Sequence, residues 1–351
     1  EINLAVIEKG KIILGEKNSI VLTSMTNLIT CYMHLGEYGK ALDVNMKVNE
    51  LKKDVLGEKD EAYLVGLNNL ALIYSELGDN ERALKIFLRV TELRKEVLGE
   101  KNPDYLTSLG NMALVYSDLG DYVKALEINL KVTELRKEIL GEKDDAYLTS
   151  LVNLAQNYSD LGNYNKAVDI NLKVTQFRKE IGGKKDENYI IELNNLGVSY
   201  SHIKENDKAF NTINQALELG KEVLDEKHPT YLTSLNNLAY MYSKIGDYQN
   251  AIEINKKAVE LGKEVLGETH PEYLLFLNNL AMAYYNSGDY QKALENQQRV
   301  VELTKEKLGD QHQDYIIRLF NLSNIEFQLS EYNSALSYYR ESINKLRERV
   351  T

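Results

Sequence analysis

Only one cysteine, Cys31, occurs in 351 residues, so no intrachain disulfide can form and no metal site built from several cysteines is possible. A reducing cytoplasm is the expected setting. Proline is nearly as scarce. Its three copies, Pro103, Pro229 and Pro271, share one position of a repeating pattern, where each opens a helix and interrupts none. Positive charge is also short, since 42 Lys and Arg against 53 Asp and Glu leave a formal net charge of -11. Such a chain lacks the Lys/Arg surface that nucleic-acid phosphates require, and an anionic membrane is disfavoured on the same ground. No apolar run reaches the length of a membrane span, and Glu1-Ile2-Asn3-Leu4 has neither the basic start nor the apolar stretch of a signal peptide. The missing initiator methionine suggests a piece of a longer protein.

What is present is periodic. Leu14-Gly15-Glu16 returns as Leu56-Gly57-Glu58, Leu98-Gly99-Glu100, Leu140-Gly141-Glu142 and Leu266-Gly267-Glu268, at a spacing of 42 residues or a multiple of it. Weaker copies at Gly182-Gly183-Lys184, Leu224-Asp225-Glu226 and Leu308-Gly309-Asp310 keep the frame through the whole chain. Inside one unit, Tyr63, Leu67, Leu70, Ala71, Tyr74 and Leu77 recur at offsets of three and four, the stripe of an α-helix, here helix A. Gly78-Asp79 breaks it. A second stripe through Ala83, Leu84, Ile86, Phe87, Val90, Leu93 and Val97 predicts helix B, ended by Leu98-Gly99. Asn102-Pro103-Asp104 supplies a capping amide, a proline whose missing N–H costs nothing there, and an acid facing the positive end of the helix.

These residues carry a resemblance. Asn69-Leu70-Ala71, Tyr74, Leu77-Gly78-Asp79 and Ala83 resemble the tetratricopeptide signature. The longer helix B, ending in Leu266-Gly267-Glu268-Thr269-His270-Pro271, resembles the forty-two-residue repeat of the kinesin light chain type, a type also abundant in bacterial proteins. The expected fold is all-α, an α-α superhelix of antiparallel helical hairpins. Residues 1–17 are expected to be helix B of a truncated repeat. Eight units follow as one continuous solenoid: 18–59, 60–101, 102–143, 144–185, 186–227, 228–269, 270–311 and 312–351. Alanine at 41, 83, 125, 167, 209, 251, 293 and 335 is expected to let helix B approach helix A closely. Repeat eight drifts, with Glu326 for the helix-A tyrosine and Ser330 for the turn glycine, and is expected to form a cap with a more polar outer face.

The most informative polar column is Asn27, Asn69, Asn111, Asn153, Asn195, Asn237, Asn279 and Asn321, because asparagine is a poor choice for a helix interior. On a helical wheel Asn69 shares a face with Val65, Leu72 and Glu76, away from Leu70 and Tyr74. The resemblance implies that this face lines a concave groove and that this asparagine contacts peptide. A carboxamide can pair with both the C=O and the N–H of an extended backbone. The alternative is that each asparagine bonds to the next repeat and locks the stacking.

Thr107, Thr149 and Thr233 stand four residues before the asparagine, and Asp118 and Asp160 seven after it. With Glu76, the two aspartates make the first half acidic, so a ligand crossing repeats two to four is expected to carry basic side chains. Domains of this family that clamp a chaperone's C-terminal carboxylate carry Lys four residues before the asparagine. Here that position holds Thr23, Val65, Thr107, Thr149, Ile191, Thr233, Leu275 and Ile317. An internal peptide segment or a folded partner protein is the better expectation.

Helix B carries Asn45, Asn129, Asn171 and Asn255 where the family has an aromatic, which Phe87 and Tyr339 keep. Pairing with the helix-A asparagine column is the expectation, and a second polar lining the alternative. Glu92, Arg94, Lys95 and Glu96 read as solvated charge. Gly182-Gly183, Gly197 and Lys204 mark repeat five as either a hinge or a site of neutral drift.

No phosphate-cradling loop, nucleophile elbow or His/Cys metal spacing occurs, and His228, His270 and His312 share one turn position. A non-enzymatic protein- or peptide-binding scaffold follows, with no cofactor, no metal, no nucleic acid and no membrane partner expected. The alternative is the sensor or regulatory arm of a larger effector, since bacterial chains of this repeat type often continue into a caspase-like protease or a nucleotide-switch domain.

Overall fold

The computed structural model describes residues 2–350, and all of their regular structure is helical. The chain divides into two compact units, Glu1–Asn163 and Tyr164–Thr351. The division falls between the two helices of repeat four and not within repeat five. Unit 1 runs through α1 (Ile2–Leu14), α2 (Ser19–His34), α3 (Tyr38–Leu56), α4 (Glu61–Glu76), α5 (Asn80–Leu98), α6 (Pro103–Asp118), α7 (Tyr122–Leu140) and α8 (Asp145–Asp160). Unit 2 holds α9 (Tyr164–Gly182), α10 (Glu187–His202), α11 (Asn206–Val223), α12 (Pro229–Lys244), α13 (Tyr248–Val265), α14 (Pro271–Ser287), α15 (Tyr290–Leu308), α16 (Gln313–Gln328) and α17 (Tyr332–Val350). The even-numbered helices are helices A, and α3 to α17 with odd numbers are helices B.

Each helix A begins where one side chain caps it. Asn18, Asp60, Asn102, Asp144 and Asp186 accept from the backbone N–H two residues on. His228, His270 and His312 do the same through Nδ1, at 3.1–3.3 Å, which accounts for their shared position. At the other end the chain turns through a residue of positive φ. Gly78 at 77° lets Asp79 N–H return to the Tyr74 carbonyl at 2.8 Å.

Within each unit neighbouring helices pack in chain order, and successive helices A also touch, α4 with α6 and α6 with α8 in unit 1, α10 with α12 and α12 with α14 in unit 2. The alanine column is buried throughout. Tyr63, Leu64, Phe87, Val90, Tyr105 and Leu106 belong to one apolar cluster of unit 1.

The buried arc of helix A is broader than one stripe, since Leu64 and Ile73 are as deep as Ala71. Val97, expected in the core, is exposed. Helix α5 has 19 residues against 16 in α4, so its last turn overhangs. In the last hairpin Phe320, Phe327 and Tyr332 are exposed, so the polar outer face expected of a cap is not what that hairpin presents.

Gly197 has a specific cause. A Cβ there would stand 2.4 Å from Ile213 Cγ1, so the missing methyl makes room for the isoleucine on the paired helix B.

Candidate functional site

Three of the four helices A of unit 1, α4, α6 and α8, each turn one line of side chains outward at steps of four, three and four residues. The line is Val65, Asn69, Leu72 and Glu76 on α4, Thr107, Asn111, Leu114 and Asp118 on α6, and Thr149, Asn153, Gln156 and Asp160 on α8. The asparagines are half-buried, whereas Thr107, Leu114, Asp118, Thr149 and Gln156 are exposed. The threonine hydroxyls donate to the carbonyls four residues back, Thr107 to Pro103 at 2.9 Å and Thr149 to Asp145 at 2.8 Å.

Among the described residues, the carboxamides of Asn69, Asn111 and Asn153 form no hydrogen bond within the protein. Those of unit 2 do. Asn237 Nδ2 donates to Asn194 Oδ1 at 3.4 Å, Asn279 to Asn236 at 2.8 Å and Asn321 to Asn278 at 3.5 Å, each reaching the preceding repeat. Asn195 donates to Glu192 Oε2 at 3.0 Å. The residue before each asparagine decides this. Unit 2 has the doublets Asn194-Asn195, Asn236-Asn237 and Asn278-Asn279, whereas unit 1 offers Gly110 and Val152, and Asn68 Oδ1 already accepts from Ser108 Oγ at 3.2 Å. Thr233 is half-buried and donates to the Pro229 carbonyl at 3.1 Å.

The acids line up at the C-terminal ends of α4, α6 and α8. Partial burial, and then the neighbouring Glu76 and Asp160 carboxylates, push the Asp118 carboxyl above its ordinary range. Asp160 accepts from Gln156 Nε2 at 2.8 Å, and Glu76 faces the Tyr38 hydroxyl. The same position holds His34 on α2 of unit 1, and His202, Lys244, Asn286 and Gln328 in unit 2. Burial, and secondarily Lys244, lower the His202 pKa, and its ring stacks on Tyr164 with centroids 4.9 Å apart.

Two sequence expectations need correction. The helix-B amides are sealed inside and line no second surface: Asn45, Asn129, Asn171 and Asn255 are all buried. They also miss the asparagine column. Asn129 Nδ2 reaches Asn157 Oδ1 at 2.6 Å and Asn171 Nδ2 reaches Ser199 Oγ at 2.7 Å, because helix B faces the flank of the next helix A and not its outward line. Asn45 instead accepts from Asn49 on its own helix at 2.6 Å.

Arg94 is not solvated but 3% exposed, and Lys52 and Arg136 share its repeat position. Lys52 Nζ donates to Thr26 Oγ1 at 3.0 Å and the Ala62 carbonyl at 3.1 Å. Arg94 Nη1 donates to the Asp104 carbonyl at 2.9 Å and Ser108 Oγ at 2.5 Å. Arg136 donates to the Ala146 carbonyl at 3.0 Å and Thr107 Oγ1 at 3.4 Å. Cations therefore do reach the helices A, from helix B. The signal was a basic residue four positions after the buried valines Val48, Val90 and Val132.

The tetratricopeptide repeat family matches residues 20–96, 63–138, 104–180, 189–264, 235–305 and 272–348. The chain belongs to the tetratricopeptide repeat family. Its fold class is the all-α helical-repeat solenoid, and members of this fold are typically non-catalytic scaffolds for protein interaction. No curated protein matches the chain. Among solved structures it is similar to BtubC (BKLC) from P. vanneervenii, at 19% identity and a TM-score of 0.52 over 66% of this chain and 92% of that one. It is also similar to a Rap protein complexed with Competence and Sporulation Factor, at 13% identity and a TM-score of 0.57, covering 94% of this chain and 98% of that one. RapI in its apo form gives 16% identity and 0.55 over 82% and 98%. At these identities the likeness concerns the fold. Among the described residues no group of three or more His, Cys, Asp or Glu is placed to hold a metal, and no helix is long and apolar enough to cross a membrane.

Proposed function

We propose that this tetratricopeptide repeat chain is a scaffold whose helix-A face in unit 1 holds an extended segment of a partner protein. Asn69, Asn111 and Asn153 take the segment's backbone C=O and N–H groups, and Glu76, Asp118 and Asp160 take basic side chains. Thr107 and Thr149 flank them. The observation that carries this reading is the set of half-buried carboxamides with no partner inside the protein. A half-buried amide that bonds to nothing in its own fold keeps its donors and acceptor for another molecule. The asparagines of unit 2, Asn195, Asn237 and Asn279, and Thr233 beside them, are already engaged and contribute less.

Peptides selected from a random display library on the whole chain should be enriched in Lys and Arg. They should bind about tenfold more weakly, near 1.4 kcal/mol, to a chain carrying Asn69→Ala, Asn111→Ala and Asn153→Ala at unchanged melting temperature. Full affinity in that variant would remove the carboxamides from the binding face.

A further inference from the structure

The helix-A face of unit 2 presents apolar side chains where unit 1 presents open amides. On the outward line of α10, α12, α14 and α16, Ile191, Tyr240, Leu275 and Ile317 are 37%, 41%, 44% and 48% exposed, one on each helix. The asparagines among them are engaged. Asn237, Asn279 and Asn321 each donate to the helix A before, and these three bonds tie the four helices into one continuous face. Asn195 donates to Glu192 on its own helix. Thr233, which stands in the column of Ile191, Leu275 and Ile317, turns its hydroxyl back to the Pro229 carbonyl.

A face of this kind suits one class of ligand. An extended segment brings an N–H and a C=O at every residue, and a surface whose amide donors are engaged leaves part of that backbone unsatisfied on docking. An α-helix has already paired those groups within itself and offers side chains alone. The spacing agrees. Packed helices lie about 8–10 Å apart, and residues seven apart on a helix are separated by about 10.5 Å along its axis, so an apolar residue at every second turn meets each helix A in succession. Charge narrows the choice further. The position at the helix-A C-terminal ends, acidic on α4, α6 and α8, holds no acid in unit 2 and carries Lys244, which is exposed. Its Nζ is held at the face by the Ser201 carbonyl at 3.0 Å and lies 5.4 Å from the centre of the Tyr240 ring.

We propose that the unit 2 face is a second docking site, which takes an amphipathic α-helix of a partner protein with an apolar residue at every seventh position and acidic residues beside them. Ile191, Tyr240, Leu275 and Ile317 receive the apolar side chains and Lys244 an acid. The site goes beyond the reading of unit 1 and uses neither the amides nor the acids there.

Labelled synthetic peptides of about 22 residues, the length that carries four such positions, test this on the whole chain by fluorescence anisotropy. The first has leucine at every seventh position, glutamate beside it, and alanine and glutamine elsewhere; the second has proline at two central positions and cannot form the helix. The wild type should bind the first about tenfold more tightly. Ile191→Ser with Leu275→Ser and Ile317→Ser should weaken that binding by about tenfold or more and leave the melting temperature unchanged, since these side chains are exposed. Lys244→Glu should turn the preference towards a version of the first peptide with lysine in place of glutamate. Asn69→Ala with Asn111→Ala and Asn153→Ala should leave the first peptide fully bound, which separates this site from that of unit 1. Equal binding of the helical and proline peptides, full affinity in the serine variant, or loss of binding in the alanine variant overturns the second site. If the serine variant melts lower, the charge reversal decides, and an unchanged preference in Lys244→Glu overturns it.

Discussion

Unit 1 and unit 2 carry the same asparagine column and use it differently. In unit 1 the carboxamides of Asn69, Asn111 and Asn153 face outward unbonded, beside the acids Glu76, Asp118 and Asp160, and the buried cations Lys52, Arg94 and Arg136 bond to hydroxyls and backbone carbonyls. In unit 2 Asn237, Asn279 and Asn321 bond to the preceding repeat, the acid position holds His202 and Lys244, and Arg178 has Glu192 as its counterpart. The turns follow the same division. Among the described residues, the three non-glycine residues with positive φ, Lys204 at 64°, Asp225 at 87° and Ser330 at 65°, lie in unit 2, while the corresponding turns of unit 1 are glycine. One helical column thus either bonds to the preceding repeat or stays open to another molecule, depending on whether the residue before the asparagine there supplies an acceptor.

The largest expected effect would break this contrast. Replacing Asn237, Asn279 and Asn321 together with alanine should destabilise the protein by about 1–3 kcal/mol, since hydrogen bonds between repeats are lost. The same change at Asn69, Asn111 and Asn153 should stay within about 0.5 kcal/mol. Urea unfolding monitored by circular dichroism measures both, and equal losses would erase the distinction. A smaller effect sharpens it. Lys204→Gly, Asp225→Gly and Ser330→Gly should each stabilise by about 1 kcal/mol, by relieving a side chain from a backbone region that favours glycine.

The smallest effect concerns Asp118. Its folded pKa is raised, so its contribution to stability is complete below about 4 and lost as pH rises through the folded value. Asp118→Asn should therefore raise the melting temperature slightly at neutral pH, and the gain should vanish in acid. A gain that persists below about pH 3 would locate its cause elsewhere than in the charge.

The hairpins, their caps and the close-packing alanines were legible in the sequence, because a period of 42 repeats each local signal until its meaning is plain. Asn102 caps α6 and Ala83 is buried as expected. What periodicity reports is the direction of a side chain, not its depth or reach. Arg94 looked like surface charge because its neighbours Glu92, Lys95 and Glu96 are exposed, yet its long side chain turns inward to Ser108. Asn129 was expected to pair with the helix-A asparagine column or to line a second polar surface, and it is buried with its partner Asn157 on a different column. The unit 1 amides could not be told from those of unit 2 without knowing that Asn194, Asn236 and Asn278 would come within reach.

The position occupied by Arg94 has a last consequence. Helix B meets the next helix A through matched pairs that differ from joint to joint: Arg94 with Ser108, Arg178 with Glu192, and Gly262 with Phe276, where even a Cβ would lie 3.0 Å from the ring. Repeats that look interchangeable on paper are therefore keyed to their successors. Shuffling their order would set an arginine against a phenylalanine or strand a glutamate opposite glycine, so the sequential order of the modules is itself encoded in their seams.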